Sequence, residues 1–211
     1  MKALVVTGGN PPSLELLYKY SKKASLIIGA DKGCDSLYKA NIKPDYILGD
    51  FDSVNKETLN YFEELGVKEN KYKREKDDTD TKIAIDLAIT EGAKEIYILG
   101  ATGTRIDHVL SNLGLMLLGL KNSVRVEIID EYNKIFLTDK SLKIKGNKGD
   151  IVSFHAYSEV VENLSIKGSK YELSNYNLLL GDGITTSNEF IGKDIEITFD
   201  KGKLIIFYSK D

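Results

Sequence analysis

Several features that would point to particular protein classes are scarce in this chain of 211 residues. It has one cysteine, no tryptophan and three prolines. A single cysteine, Cys34, excludes an intramolecular disulfide and a metal site built from several thiolates. The low proline content, with 42% hydrophobic and 29% charged residues, is typical of a globular chain rather than a disordered one.

Long apolar runs and an excess of positive charge are also absent. The longest apolar run, Leu113–Leu120, is too short to span a bilayer, and Met1–Val6 is too short for the apolar part of a secretory signal. The net charge of −3 argues against a general nucleic-acid binder, which is normally basic. We therefore expect a cytoplasmic protein that binds neither nucleic acid nor a membrane.

Strand and helix patterns alternate over residues 1–122. Apolar runs at Ala3–Val6, Leu26–Ile28, Tyr46–Leu48 and Ile96–Leu99 are typical of strands covered on both faces of a sheet. Between these runs, apolar residues recur with the period of a helix. The alternation predicts parallel βαβ units, that is, an α/β domain with a mostly parallel sheet.

Residues 123–211 show strand patterns without a helical pattern of useful length. The predicted strands are Val124–Ile129, Lys134–Thr138, Leu142–Lys145, Ile151–Tyr157, Val160–Ile166, Ile195–Phe199 and Leu204–Tyr208. They predict an all-β second domain. Because so small a unit has a marginal core, we expect it to pack on the first domain or on a second copy of itself.

Three polar clusters dominate the first domain: Gly49–Ser53 (GDFDS), Lys76–Thr81 (KDDTDT) and Gly100–His108 (GATGTRIDH). Each follows a predicted strand or begins a predicted helix, where an α/β sheet gathers its loops at one edge. Six aspartates would then share one cleft: Asp50, Asp52, Asp77, Asp78, Asp80 and Asp107. Because close carboxylates repel, they favour a cation, and Mg²⁺ with nucleotide phosphates suits oxygen ligands. The sequence thus predicts a Mg·ATP-dependent group-transfer site.

Glycines and an arginine at the same edge provide candidate phosphate contacts. Backbone N–H groups at a helix N-terminus bind anions, and Arg105 can add a bidentate contact. The Thr102–Gly103 pair stands directly before Arg105. Gly8 and Gly9, and also Asp31, follow earlier strands at the same edge, where they permit close approach of a nucleotide or simply form a tight turn. The loop matches neither a Walker A motif nor the G-x-G-x-x-G fingerprint.

Each cluster also has a purely structural interpretation. Asp52 or Ser53 could cap the following helix, and the aspartates before Ile83 could stabilise a helix N-terminus. Arg105 could form only a structural salt bridge, to Asp107 or to a neighbouring acid. Their joint occurrence after successive strands favours a functional site.

These motifs resemble those of the thiamine pyrophosphokinase family over nearly the whole chain. The three clusters occur in the family's order, and Thr186-Ser187-Asn188 resembles its Thr-Ser-Asn segment. Ala30–Gly33 (ADKG) resembles the family's Ala-Asp-Gly-Gly, with Lys32 in place of the first glycine, and Thr104 stands where the family commonly has a second glycine.

The resemblance implies an N-terminal three-layer α/β/α domain over residues 1–122, a C-terminal β-sandwich domain over 123–211, and a homodimer with active sites at the subunit interface. It also implies that diphosphate passes from ATP to the hydroxyl of thiamine, giving thiamine diphosphate and AMP, with Mg²⁺ as cofactor. The implied metal ligands are Asp50, Asp52 and Asp80, which are also catalytic together with Arg105 and Asp107. The implied ATP contacts are Gly8, Gly9, Asp31, Thr79, Thr102, Gly103, Arg105 and His108. The implied thiamine contacts are Ser187 and Asn188.

Three other activities fit part of the pattern. A pterin pyrophosphokinase of related fold would use the same diphosphate transfer on another hydroxymethyl heterocycle. Asp50–Val54 also fits the D-x-D-x-V opening of haloacid-dehalogenase-like phosphatases, although that motif follows the first strand and Asp50 follows the third. The third alternative is a non-catalytic module that binds Mg·ATP and releases no AMP.

Overall fold

A computed structural model of the chain describes residues 1–71 and 78–210, without the side chain of Lys71. Asp77, one of the six aspartates expected in the cleft, lies outside the described residues. The chain divides into two compact units, Met1–Glu131 and Tyr132–Asp211. Within the described part of the chain, no helix combines the length and the apolar character needed to cross a membrane.

The first unit alternates strands with helices. In order, its elements are β1 (Lys2–Val6), α1 (Leu14–Ser21), β2 (Leu26–Ala30), α2 (Gly33–Lys39), β3 (Tyr46–Gly49), α3 (Lys56–Glu64), β4 (Lys68–Lys71), α4 (Asp80–Thr90), β5 (Glu95–Leu99), α5 (Ile106–Lys121) and β6 (Arg125–Ile129). The six strands pair in the order β6-β5-β1-β2-β3-β4, and every pair is parallel. This confirms the predicted α/β unit with a parallel sheet.

The strand order indicates at which edge of the sheet in the first unit a ligand would bind. β1 pairs with β2 on one side and with β5 on the other, so the chain reverses its direction of growth across the sheet at β1. Ligands of open α/β sheets bind at the carboxyl ends of the strands at such a reversal. Val6 and Leu99 stand opposite each other there, which brings the loops after β1 and β5 together.

The second unit is an antiparallel β-sandwich. Its strands are β7 (Asn133–Thr138), β8 (Leu142–Ile144), β9 (Ile151–Ala156), β10 (Val160–Lys167), β11 (Leu173–Leu179), β12 (Asn188–Glu189), β13 (Ile195–Thr198) and β14 (Leu204–Ser209). They pair in the orders β12-β9-β14-β7 and β11-β10-β13-β8. Side chains of both groups share one core, including Phe154, Leu164, Ile197 and Ile206, each 0% exposed. The predicted sandwich is therefore confirmed.

Four strands differ from the sequence-based assignment. β4 was not predicted because its residues, KENK, are all polar. β11 and β12 were not predicted either, because β11 is largely exposed and β12 has two residues. β6, which the sequence analysis grouped with the second domain, pairs in parallel with β5 and belongs to the first unit.

Candidate active site

A cleft of about 740 Å³ opens at the sheet reversal between β1 and β5. It is formed by the loops after β1, β2 and β5 and by the first turns of α4 and α5. The side chains and backbone that line it include Gly8, Gly9, Asn10, Asp31, Lys32, Ser53, Thr79, Asp80, Thr102, Gly103, Arg105, Asp107, His108 and Asn112. All of these residues lie in the first unit.

Backbone hydrogen bonds join the loops after β1 and β5 into the floor of the cleft. The Gly9 N–H donates to the Gly100 carbonyl at 2.8 Å, and the Asn10 N–H donates to the Thr102 carbonyl at 2.7 Å. A Cβ at Gly9 would collide with both of these carbonyl oxygens. Gly9 is therefore required by the close approach of two backbones, not only by a tight turn.

The N-terminus of α5 faces the cleft. Arg105 is the N-cap residue, and its side chain makes no capping hydrogen bond, so the first N–H groups of the helix are not satisfied by it. Asn112, which is 9% exposed, donates from Nδ2 to the Ala101 carbonyl at 2.7 Å and ties the helix to its preceding loop. N–H groups and a positive helix-dipole end are suited to an anionic group.

Arg105 and Asp107 form a two-point ion pair at the mouth of the cleft. Arg105 donates to Asp107 from Nη2 at 2.6 Å and from Nε at 3.2 Å. The hydrogen bond from Arg105 lowers the pKa of Asp107 below its ordinary value, and the same bond raises the pKa of Arg105. The side chains are 69% and 64% exposed, so water screens the pair and little free energy opposes its rearrangement around a ligand.

The acidic loop Gly49–Ser53 lies against Asp31. Gly49 has φ +143°, and a Cβ there would collide with Oδ1 of Asp31. Phe51 has φ +60° and is 7% exposed, so it anchors the loop in the core. Oδ1 of Asp50 accepts from the Asp52 N–H at 3.0 Å, which closes the turn.

The acidic loop is held at its far end by a residue that the sequence analysis did not select. Asp35 of α2 is 6% exposed, and its Oδ1 accepts from the Asn55 N–H at 3.2 Å and from the Thr58 hydroxyl at 2.6 Å. Asn55 is the N-cap of α3. The alternative in which Asp52 or Ser53 caps this helix is therefore wrong.

The first turn of α4 supplies the remaining acidic part of the cleft. Thr79 caps the helix by accepting from the Lys82 N–H at 3.3 Å, and Asp80 is its first residue. The hydroxyls of Thr81 and Thr7 share a hydrogen bond of 2.9 Å, which joins α4 to the loop after β1. Asp78 instead forms an ion pair with Lys82 at 2.8 Å.

The predicted thiamine contacts lie in the second unit. Ser187 is exposed, has φ +55°, and its N–H donates to the Ser153 hydroxyl at 2.9 Å. Thr185 and Asn188, on either side, are each 3% exposed. Thr185 donates its hydroxyl to the Phe154 carbonyl. The segment is thus anchored by buried side chains and presents Ser187 to solvent.

The structure brings most of the predicted residues to one place. Those lining the cleft are Gly8, Gly9, Asp31, Thr79, Asp80, Thr102, Gly103, Arg105, Asp107 and His108. Asp50 and Asp52 are not among the lining residues, but they belong to the loop that contacts Asp31 and reaches the cleft through Ser53.

Lys32 is a further residue of the cleft. A Cβ added at Gly8 would lie 3.1 Å from the Cβ of Lys32, so the Lys32 side chain starts directly beside the loop after β1. Among the described residues no acidic group lies within ion-pair distance of its ammonium, whereas Arg105 already contacts Asp107. In the sequence, the indication of this cleft residue was Lys32 itself, the lysine of the ADKG segment.

A Mg²⁺ ion suits the donors of the cleft and its acidic loop. Among residues 1–71 and 78–210, no three acidic, histidine or cysteine side chains form a ready-made metal cage. Mg²⁺ does not require such a cage, since it is usually bound by one or two carboxylates, by waters and by substrate phosphates. Carboxylates at Asp31 and Asp80, with the loop of Asp50 and Asp52 beside them, match that requirement.

Comparisons with known proteins agree over both units. The family model described as thiamin pyrophosphokinase, catalytic domain, matches residues 17–128, and the model described as thiamin pyrophosphokinase, vitamin B1 binding domain, matches residues 138–204. The curated thiamine pyrophosphokinase of Bacillus subtilis (strain 168) is 34% identical over 215 residues, covering 100% of each protein.

Solved structures show the same similarity. The crystal structure of thiamine pyrophosphokinase from Bacillus subtilis is 33% identical with a TM-score of 0.91, covering 100% of both chains. That of a thiamin pyrophosphokinase family protein from Enterococcus faecalis is 31% identical with a TM-score of 0.87, again covering 100% of both chains.

Proposed function

The chain belongs to the thiamine pyrophosphokinase family, and from that premise we propose how its residues divide the work of the reaction. The enzyme transfers diphosphate from ATP to thiamine. Neither the pterin pyrophosphokinase nor the phosphatase alternative is favoured, because both matching family models are thiamin pyrophosphokinase models.

ATP binds in the cleft between β1 and β5. The observation that carries this assignment is the position of the cleft at the sheet reversal, with the N-terminus of α5 facing it. The proposed ATP contacts are Gly8, Gly9, Asp31, Thr79, Thr102, Gly103, Arg105 and His108. Arg105 holds phosphate oxygens, and Asp107 orients Arg105 through the two-point ion pair.

Asp50, Asp52 and Asp80 would hold Mg²⁺ together with the phosphates of ATP. When bound, the ion would offset the negative charge that accumulates on phosphate oxygens during transfer. The protein's own contribution is to hold the triphosphate in line with the attacking thiamine hydroxyl. The buried Phe51 and the Asp35 hydrogen bonds support this by restricting the acidic loop.

The second unit binds thiamine and dimerises. The family model that matches residues 138–204 supports the first role by its description as a vitamin B1 binding domain. Ser187 contacts the pyrimidine of thiamine, because its hydroxyl is exposed on a segment anchored by buried neighbours. The enzyme acts in the cytoplasm as a homodimer, with active sites at the subunit interface and the catalytic residues in residues 1–122.

The test measures AMP and thiamine diphosphate in parallel, in the presence and absence of thiamine and over a series of Mg²⁺ concentrations. Equal amounts of both products, formed only with thiamine, are expected. Asp52→Asn should lower the rate by about 100-fold or more and raise the half-saturating Mg²⁺ concentration, because a carboxylate ligand is lost.

The matched control is Asp139→Asn, which removes the same charge at an exposed site of the second unit. It should leave both the rate and the Mg²⁺ dependence unchanged. ADP in place of AMP, or an Asp52→Asn enzyme with wild-type Mg²⁺ dependence, would contradict the proposal.

A further inference from the structure

We propose that Asn188 is a positioning residue of the thiamine site and not a direct ligand. Its side chain holds the turn Gly168–Glu172 against β12 and thereby fixes the neighbouring Ser187. The inference rests on the proposed thiamine-binding role of the second unit. It is carried by the hydrogen bonds of one buried amide.

Every hydrogen-bonding position of the Asn188 amide is occupied within the chain. Oδ1 accepts from the Tyr171 N–H at 3.0 Å and from the Glu189 N–H at 2.9 Å. Nδ2 donates to the Tyr171 carbonyl at 2.7 Å and to the Ser169 hydroxyl oxygen at 3.2 Å. A primary amide offers two N–H donors and an oxygen with two lone pairs, so this one is saturated.

The backbone partners also determine which way the amide faces. Two N–H groups surround Oδ1, and a carbonyl faces Nδ2. Rotating the amide by half a turn would set N–H against N–H and oxygen against oxygen, which leaves buried polar groups unsatisfied. Asn188 is 3% exposed, so water does not replace these partners. A ligand could reach this amide only by breaking an internal bond.

The bonds of Asn188 reinforce the contact between two segments that also form an isolated β-bridge between Ser169 and Phe190. The Lys170 N–H donates to the Glu189 carbonyl at 3.0 Å, and Lys170 forms an ion pair with Glu189 at 2.7 Å. That ion pair is partly exposed and contributes little. Ser169, itself 3% exposed, donates its hydroxyl to the Tyr171 carbonyl at 3.1 Å. Asn188 and Ser169 thus both donate to the Tyr171 carbonyl, and together they hold the turn in place.

The same anchoring decides what the Thr-Ser-Asn segment offers to a ligand. With Thr185 and Asn188 buried, the exposed side chains between them are Thr186 and Ser187. Ser187 holds a left-handed backbone conformation, φ +55°, which a non-glycine residue keeps only where its surroundings fix it. The Ser187 N–H donates to the Ser153 hydroxyl at 2.9 Å, and the buried Asn188, which follows directly, anchors the other side of the residue.

The test compares Asn188→Ala, Ser169→Ala and the double variant in full-length protein. Asn188→Ala should raise KM for thiamine about tenfold, while KM for ATP stays within about twofold, because loss of a buried partner disturbs one subsite. Ser169→Ala, which cannot touch a ligand of Ser187 from its buried position, should raise KM for thiamine in the same direction but less. The double variant should be no worse than Asn188→Ala, since both changes release the same turn.

Hydrogen–deuterium exchange supplies a readout that does not depend on turnover. Exchange in residues 168–172 should accelerate at least several-fold in Asn188→Ala, because the Tyr171 N–H loses its acceptor. Asn177→Ala is the matched control: its exposed Oδ1 accepts from the Asn163 N–H in the same unit, and neither thiamine KM nor exchange in the turn should change.

Two results would overturn the inference. One is a raised thiamine KM in Asn188→Ala with unaltered exchange in the turn and a silent Ser169→Ala, which would make Asn188 a direct ligand. The other is an unchanged thiamine KM in Asn188→Ala. If Asn188→Ala does not fold, Ser169→Ala alone decides between the same outcomes. If the unmodified enzyme formed no thiamine diphosphate, the proposed function would fail, while exchange would still show whether Asn188 holds the turn.

Discussion

Gly49→Ala is expected to damage both the fold and the reaction, and for two separable reasons. Gly49 has φ +143°, a backbone conformation that residues with a Cβ rarely adopt. In addition, the new methyl group would collide with Oδ1 of Asp31. Since Asp31 lines the cleft and Gly49 begins the acidic loop, relief of the collision must move one of them.

The magnitude follows from a comparison with Gly66, at the end of α3. Gly66 has φ +65°, and a Cβ there would meet nothing within 4 Å. Gly66→Ala should therefore cost only the left-handed strain, about 1–2 kcal/mol of the free energy of unfolding. At Gly49, φ +143° lies outside the left-handed α region, so backbone strain of about 1–3 kcal/mol combines with a steric term of about 1–3 kcal/mol, for a sum of about 2–6 kcal/mol.

The assay is urea unfolding followed by far-ultraviolet circular dichroism, together with the rate of thiamine diphosphate formation. A displacement of the acidic loop by about 1 Å should lower the rate about 100-fold. Gly66→Ala should leave the rate unchanged. Equal losses of stability in the two variants, with a wild-type rate in Gly49→Ala, would refute the idea that Asp31 and the acidic loop are packed against each other through Gly49.

Two further expectations concern binding and pH. Lys32→Ala should raise KM for ATP about three- to tenfold without changing KM for thiamine. The reason is that Asp107 pairs with Arg105 and not with the Lys32 ammonium, which can therefore contact phosphate. Lys39→Ala at the end of the same helix is its control, and an unchanged ATP affinity in Lys32→Ala would contradict a phosphate contact. Burial, and secondarily the charge of Glu127, raises the pKa of Tyr20 to about 12, so the folded state favours the neutral phenol. Stability should therefore be fully present below pH ~10, the ordinary value of tyrosine, and fall as pH rises from about 10 to about 12. Tyr20→Phe keeps the ring contact with Tyr97, and its unfolding midpoint should vary less over that range; parallel profiles for the two proteins would refute the assignment.

Local sequence patterns predicted the elements whose own residues carry the signal. The apolar runs of β1 and β5 are buried, and the serine before the apolar pattern of α1, Ser13, caps that helix by accepting from the Leu16 N–H. β4 escaped prediction because a polar edge strand is defined by the hydrogen-bonding groups of β3 and not by its own composition. The same reason applies to β12, whose two residues are a strand through their pairing with β9.

The sequence by itself determined the reaction class, ATP-dependent group transfer. Aspartates, glycines and an arginine in a characteristic order can be recognised without coordinates. Only the tertiary structure decided which of them meet. It placed β1 beside β5, so that Gly9 contacts Gly100; it set Asp31 against Gly49; and it saturated the amide of Asn188. These contacts join residues that are distant along the chain, and they depend on strand order and on buried hydrogen-bond partners. Periodicity and motif spacing encode neither, because both describe only neighbours along the backbone.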